Sequence, residues 1–287
     1  MNDSGNPSMT ALTAAAARAA HLVVDAEPLI FTDSLAVPLL GDQAGALLGY
    51  HRAHGSHDVL ALARTTVVTR SRFAEDRLAR AARRGTAQYL ILGAGLDSFA
   101  WRSPLAARVR VIEADHPATQ RWKRARLAEA GLPAQGEVRY AEADLAAGTL
   151  DTALASAGFD HGRPALVSWL GVTMYLSPDA LTSTLATLSH CAPGTELVAE
   201  YLVPDDLRDD LGRGYAQLVA PVAAEQGEPW QTSLRPEEMN GLLAGHGFAV
   251  LANVPQRDTV PARLWERADA LRPAGLSWLV HARRTGR

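Results

Sequence analysis

The chain has 287 residues, 47% of them apolar and 21% charged, which suits a globular protein and excludes a disordered or fibrous one. Its 28 basic and 31 acidic residues create no positive field of the kind that neutralises phosphates, so nucleic acid is not an expected partner. A single cysteine, Cys191, excludes an internal disulfide and a thiolate cluster, and reads as a small buried residue of a reduced, cytoplasmic protein.

The length fits one large α/β core with decorations better than two independent domains. Residues 1–8 are polar, contain Gly5 and Pro7, and read as a fraying end. The Ala-rich run 10–24 predicts a helix. Arg18 and His21 within it fit neither a signal peptide nor a membrane span, so no membrane association is expected. Residues 64–84 predict a stronger helix, with Val67, Val68, Phe73, Leu78 and Ala81 roughly on one face and Gly85 as its stop. Prolines and glycines punctuate the stretch between, so residues 1–85 read as a helical cap and 86–287 as the main fold. His51, His54 and His57 lie in this stretch. Their spacing of three is poorer than the four that stacks ligands on one helix face, and Gly55 interrupts a helix there, so they read as solvated loop residues and no metal site is expected.

From residue 86 the pattern changes to a short apolar run at 89–92 and further strand-like runs at 109–112, 138–140, 165–169, 196–199, 248–251 and 277–280, most of them separated by helical stretches. The clearest helix is 178–190, entered through Ser177 and followed by Pro193-Gly194. Strands alternating with helices argue for βαβ units and a doubly wound, mostly parallel sheet. Residues 204–237, charged and carrying Pro221, Gly227, Pro229 and Pro236, read as an insertion above that sheet, a lid or substrate wall.

The chemistry concentrates where the first strand ends. Leu92-Gly93-Ala94-Gly95-Leu96-Asp97-Ser98 places two glycines straight after a buried strand, where the backbone can approach a nucleotide-like ligand. A nicotinamide fingerprint wants a third glycine near Ser98, and Asp97 puts negative charge where a pyrophosphate would sit. The second strand runs into Glu113-Ala114-Asp115, suited to ribose hydroxyls, and the third ends at Asp144-Leu145, where an acid can accept from an adenine amino group while leucine packs on the base. Taken singly, each acid also reads as a solvated strand end or helix cap.

These segments resemble the leucine carboxyl methyltransferase family. The resemblance rests on Arg70-Ser71-Arg72-Phe73, on Leu92 to Ser98 continuing to Trp101-Arg102, on Glu113-Ala114-Asp115-His116-Pro117, on Asp144-Leu145, and on Gly171-Val172-Thr173-Met174-Tyr175-Leu176. It spans roughly residues 10–204 in order, and 227–248 more loosely. It implies a Rossmann-like class I methyltransferase with a seven-stranded sheet, S-adenosylmethionine as cofactor, and O-methylation of a carboxylate or hydroxyl on a small-molecule, secondary-metabolite or peptide acceptor, by a monomer or homodimer.

The resemblance also implies roles. Arg70 pairs with the methionine carboxylate of the cofactor, assisted by Arg18; Gly93, Ala94 and Gly95, with Asp97 beyond them, make room for it; Asp115, with Glu113 nearby, takes the ribose; Asp144 and Leu145 hold the adenine. Without the resemblance, Arg70 and Arg72 read as a solvated helix face. One position departs from the pattern: where several members have an acid after the fourth strand, this chain has Trp169-Leu170. Trp169 and Tyr175 remain as aromatic acceptor-site walls near the sulfonium, with a core role for Trp169 equally open. A carboxylate acceptor needs no general base. A hydroxyl acceptor does, and His116, His190 and His246 are the candidates. A nicotinamide oxidoreductase and a catalytically silent cofactor-binding protein are the rival readings, and the lack of a Gly-x-Ser-x-Gly turn disfavours a serine hydrolase.

Overall fold

Seven strand-like runs become one sheet in the order β3-β2-β1-β4-β5-β7-β6 in the computed structural model, which describes residues 8–286. The strands are β1 (Gln88–Leu92), β2 (Arg110–Asp115), β3 (Val138–Glu142), β4 (Ala165–Trp169), β5 (Glu196–Leu202), β6 (Phe248–Pro255) and β7 (Ser277–Arg284). The first five run parallel, and β7 is antiparallel to both β5 and β6. Strand order reverses between β1 and β4, and at such a switch point the loops at the carboxyl ends part to leave a crevice. Apart from Ser8, the expected fraying end lies outside the described residues.

Helices α1 (Met9–Val24), α2 (Ala36–Leu40), α3 (Ala44–His54) and α4 (Asp58–Arg83) precede the sheet, and α5 (Phe99–Arg102) follows β1. After β2, β3 and β4 come α6 (Pro117–Glu129), α7 (Leu150–Ser156) and α8 (Pro178–Ser189); α9 (Asp210–Glu225) and α10 (Pro236–Gly245) separate β5 from β6.

Side chains alternate across each strand, so a fully buried strand supplies two cores. Leu90 and Leu92 of β1 join Leu154, Leu181 and Leu243 on the α7, α8 and α10 face. Tyr89 and Ile91 join Leu78, Phe99 and Leu127 on the other. The second half of α4 therefore lies directly on the sheet, and its Phe73 and Ala74 seal against Val198 of β5 and Leu279 of β7.

Residues 203–235 hold a sixteen-residue helix, α9. Asp209 caps it by accepting from the Gly212 N–H at 2.7 Å. Pro221 costs one backbone hydrogen bond without ending it. The histidine stretch also differs from expectation: α3 continues through Gly49 to His54, and His51 is buried beside Arg64, not solvated. Burial and the Arg64 charge push its pKa down to about 4. Among the described residues there is no cluster suited to a metal ion and no helix long and apolar enough to cross a membrane.

Phe73 is fully buried between α4 and the sheet. Phe73→Ala is expected to lower unfolding free energy by about 3–5 kcal/mol in urea titrations. Leu218→Ala, on the exposed side of α9, should shift it by less than about 0.5 kcal/mol.

Candidate active site

A cleft of about 570 Å³ opens over the switch point, between the carboxyl ends of β1, β2, β4 and β5 and the helices α1, α4 and α9. After β1 the chain turns through Gly93 and Gly95, whose φ angles are +66° and +48°. A Cβ on Gly93 would collide with Val172 Cγ2, and one on Gly95 would stand 3.2 Å from the Ala11 Cβ. The glycines are therefore demanded by the chain's own packing as well as by any ligand. Gly93 and Ala94 donate their N–H groups to the Ala114 carbonyl at 2.8 and 3.3 Å, which fixes the loop to β2.

The Asp115 carboxylate accepts from the Gly95 N–H and, at 2.6 Å, from the His116 N–H. Burial raises its pKa against these two hydrogen bonds. Asp97 accepts from the Phe99 N–H at 2.7 Å and starts α5. Asp144 and Leu145 line the far end of the cleft; one Asp144 oxygen closes its own turn by accepting from the Ala146 N–H at 2.9 Å.

Arg70 reaches from α4 to the sheet, where its Nη1 donates to Glu200 Oε2 at 2.7 Å. Glu200 has no exposed surface, and its Oε1 accepts from Ser277 Oγ at 3.0 Å. The guanidinium lies flat on the backbone after β4: a Cβ on Gly171 would come 2.6 Å from it. Arg18 stands differently. It too lines the cleft, but its Nε donates to Asp33 at 2.8 Å and its Nη2 to the Leu96 carbonyl of the glycine loop at 2.6 Å, so two of its three nitrogens are engaged. Burial would raise Asp33, but Arg18, Ser98 and Arg102 hold its carboxyl below the usual value.

Two expected site residues lie elsewhere. Glu113 is fully buried under α6, where Lys123 Nζ donates to both its oxygens at 2.7 and 2.8 Å. It does not line the cleft. Trp169 is 2% exposed and belongs to the core on the α8 face, because strand alternation turns Ser168, not Trp169, toward the cleft. Of the three histidines, His116 lines the cleft beside Asp115 and caps α6 through its Nδ1. His190 and His246 end α8 and α10 outside it.

One part of the cleft is a chamber walled by Tyr175, Tyr215, Trp230, Met174, Leu202 and Leu276. Burial raises the pKa of Tyr175 and pushes that of Tyr215 up to about 12. The insertion is pinned over this chamber, the Gln231 N–H donating to the Met174 carbonyl at 2.7 Å and its side chain to the Tyr175 carbonyl at 2.6 Å. At the mouth, Ser8 and Thr10 donate their hydroxyls to Glu228 at 2.6 and 2.7 Å. Sequence reasoning passed over Glu200 and Tyr215. A charge interrupting the run Leu197-Val198-Ala199-Glu200-Tyr201-Leu202 is the one signal available for the first, and position 215 offers none.

A parallel sheet with a glycine turn after β1, acids after β2 and β3, and cationic Arg70 at the other end suits an adenosyl group with an amino-acid tail, and the chain is one of the class I S-adenosylmethionine-dependent methyltransferases. It belongs to the leucine carboxyl methyltransferase family, whose model matches residues 11–189. S-adenosylmethionine is its cofactor. It is 29% identical over 219 residues, 76% of this chain and 72% of the relative, to YktD of Bacillus subtilis (strain 168), provisionally named an S-adenosyl-L-methionine-dependent methyltransferase. A similarly named protein of Saccharopolyspora erythraea is 37% identical over 205 residues, 67% of this chain and 66% of that one. In fold it resembles a provisionally assigned methyltransferase from Thermobifida fusca YX, with a TM-score of 0.62 at 22% identity over 99% of this chain and 97% of that one.

The buried Glu113 gives a pH test. Burial, outweighing Lys123, raises its pKa from 4.5 to about 7. A carboxyl raised on folding contributes stability at low pH that is lost as pH climbs from the unfolded to the folded value. Wild-type stability measured against that of Glu113→Gln in urea titrations should therefore decline between pH 4.5 and 7 and level off above.

Proposed function

We propose that this chain transfers the methyl group of S-adenosylmethionine to a carboxylate oxygen of a small-molecule or peptide acid. The observation that carries this reading is the state of the ionisable groups around the chamber. Glu200 is engaged by Arg70 and Ser277, and Glu228 by Ser8 and Thr10. Tyr175 and Tyr215 are raised by burial and stay protonated, while His116 stands beside Asp115 at the other end. Among the described residues no uncommitted base faces the chamber. A carboxylate acceptor, already ionised at neutral pH, needs none.

The cofactor roles follow from the same geometry. Asp115, held by two N–H groups, is suited to the ribose hydroxyls, and the second oxygen of Asp144 with the apolar Leu145 suits the adenine. Gly93, Ala94 and Gly95 offer backbone to the adenosyl group, and Asp97 holds their turn. Arg70, held in place by Glu200, keeps Nε and Nη2 for a carboxylate, the fork geometry that guanidinium supplies and ammonium does not. Arg18 positions the glycine loop. When bound, the cofactor supplies an activated methyl that carries its own leaving group. The work left to these residues is alignment of the acceptor oxygen and exclusion of water.

Calorimetry with S-adenosylhomocysteine and with NADH tests the reading, heat being expected for the first alone. Asp115→Ala and Arg70→Ala should each weaken S-adenosylhomocysteine binding by about 1–3 kcal/mol, and unchanged affinity in both refutes the assignment. Turnover of an acid found by screening with labelled cofactor should stay nearly flat between about pH 6 and 9. A rise of about tenfold per pH unit would instead mean a hydroxyl acceptor and a base.

A further inference from the structure

We propose that Tyr215, carried into the cleft by α9, is the specificity-determining residue for the acceptor, and that its hydroxyl holds the carboxylate of a monocarboxylic acid with an apolar body. The inference rests on the carboxylate reading above and names the residue and the substrate class that this reading leaves open.

Tyr215 is anchored on its ring side. It packs with Met174, Leu202, Ala216 and Leu276, residues contributed by four different segments of the chain. Its hydroxyl is not anchored, since it lines the cleft and makes no hydrogen bond with any described residue. A phenol hydroxyl left free in the cleft gains most from a partner that accepts from it. A carboxylate is the acceptor that repays this best, because a hydrogen bond to an ionised oxygen is stronger than one to a neutral oxygen. Burial keeps the phenol protonated, so it can only give a proton-sharing contact and cannot serve as a base. Tyr215, Tyr175 and Arg70 line the same cleft, so the tail-binding end and the chamber are parts of one space.

The rest of the chamber restricts the acceptor body. On the α4 side the cleft is faced by Val59, Leu60 and Val67, and α9 adds Val219 and Val222. Both acids nearest this region are already engaged, Glu200 by Arg70 and Glu228 by Ser8 and Thr10, so an ammonium group on the substrate finds no free counter-charge. Arg18, the other arginine lining the cleft, is tied at Nε to Asp33 and at Nη2 to the Leu96 carbonyl, so it offers a second carboxylate a single free nitrogen and no fork. The chamber therefore selects an uncharged, apolar body carrying one carboxylate.

The test is equilibrium binding to the S-adenosylhomocysteine-loaded protein, with phenylacetate and octanoate as probes, 2-phenylethanol as the neutral control and phenylalanine as the zwitterionic one. The two acids should bind, and the controls should bind at least about tenfold more weakly. Tyr215→Phe should reduce acid affinity about tenfold, the loss of one hydrogen bond to a charged group, while leaving S-adenosylhomocysteine affinity unchanged. Val219→Trp, which fills the chamber, should abolish acid binding with the same unchanged cofactor affinity. If neither acid binds, if 2-phenylethanol or phenylalanine binds as tightly as the acids, or if Tyr215→Phe binds the acids as wild type does, the assignment is overturned. Failure of the wild type to bind S-adenosylhomocysteine would instead remove the methyltransferase site itself.

Discussion

The carboxylate of Asp115 is the point on which the cleft is built. It ends β2, accepts from the backbone of the glycine turn after β1 and from the start of α6, and so joins three pieces of chain at one charged group. Parallel strands need such a tie, because their carboxyl-end loops are held by no hairpin and would otherwise part freely at the switch point. With the turn fixed, Val172 can press against Gly93, and the loop after β4 that carries Gly171 and Tyr175 acquires a defined place. Arg70 then lies on Gly171, and its pairing with Glu200 locks α4 to β5 across the cleft floor.

Much of the fold is legible in the sequence, for a simple reason. Buried parallel strands are continuous apolar runs, as β1 and β4 are, and each of the other five is marked by a shorter strand-like run. Their ends are less so. β5 continues through Leu202 because Glu200, which interrupts the apolar run, is neutralised by an arginine 130 residues away, and no local pattern announces a partner at that distance. The glycine turn and the acids after β2 and β3 are legible because their meaning depends only on position along a βα unit.

The residues that moved did so because burial on both faces hides the strand period. Trp169 and Ser168 are both interior, so the sequence alone does not say which of them turns to the cleft. Glu113 and Asp115 share a strand face, but Asp115 stands at the tip, whereas Glu113, one step back, lies under α6 and finds Lys123 instead of a ligand. Tyr215 is not legible because the insertion reads only as a lid or substrate wall, and it takes the helix α9, entered through Asp209 and tolerating Pro221, to bring that residue to the cleft.

The contacts at the mouth have a consequence for traffic. Glu228 of the insertion is bound by two hydroxyls from the first turn of α1, each a hydrogen bond to a charged oxygen and together worth several kcal/mol if broken without replacement. A molecule passing between them must trade its own contacts for these. Because one carboxylate anchors both bonds, the two break together at Glu228, while Gln231 and Thr232 still hold the insertion to the loop after β4.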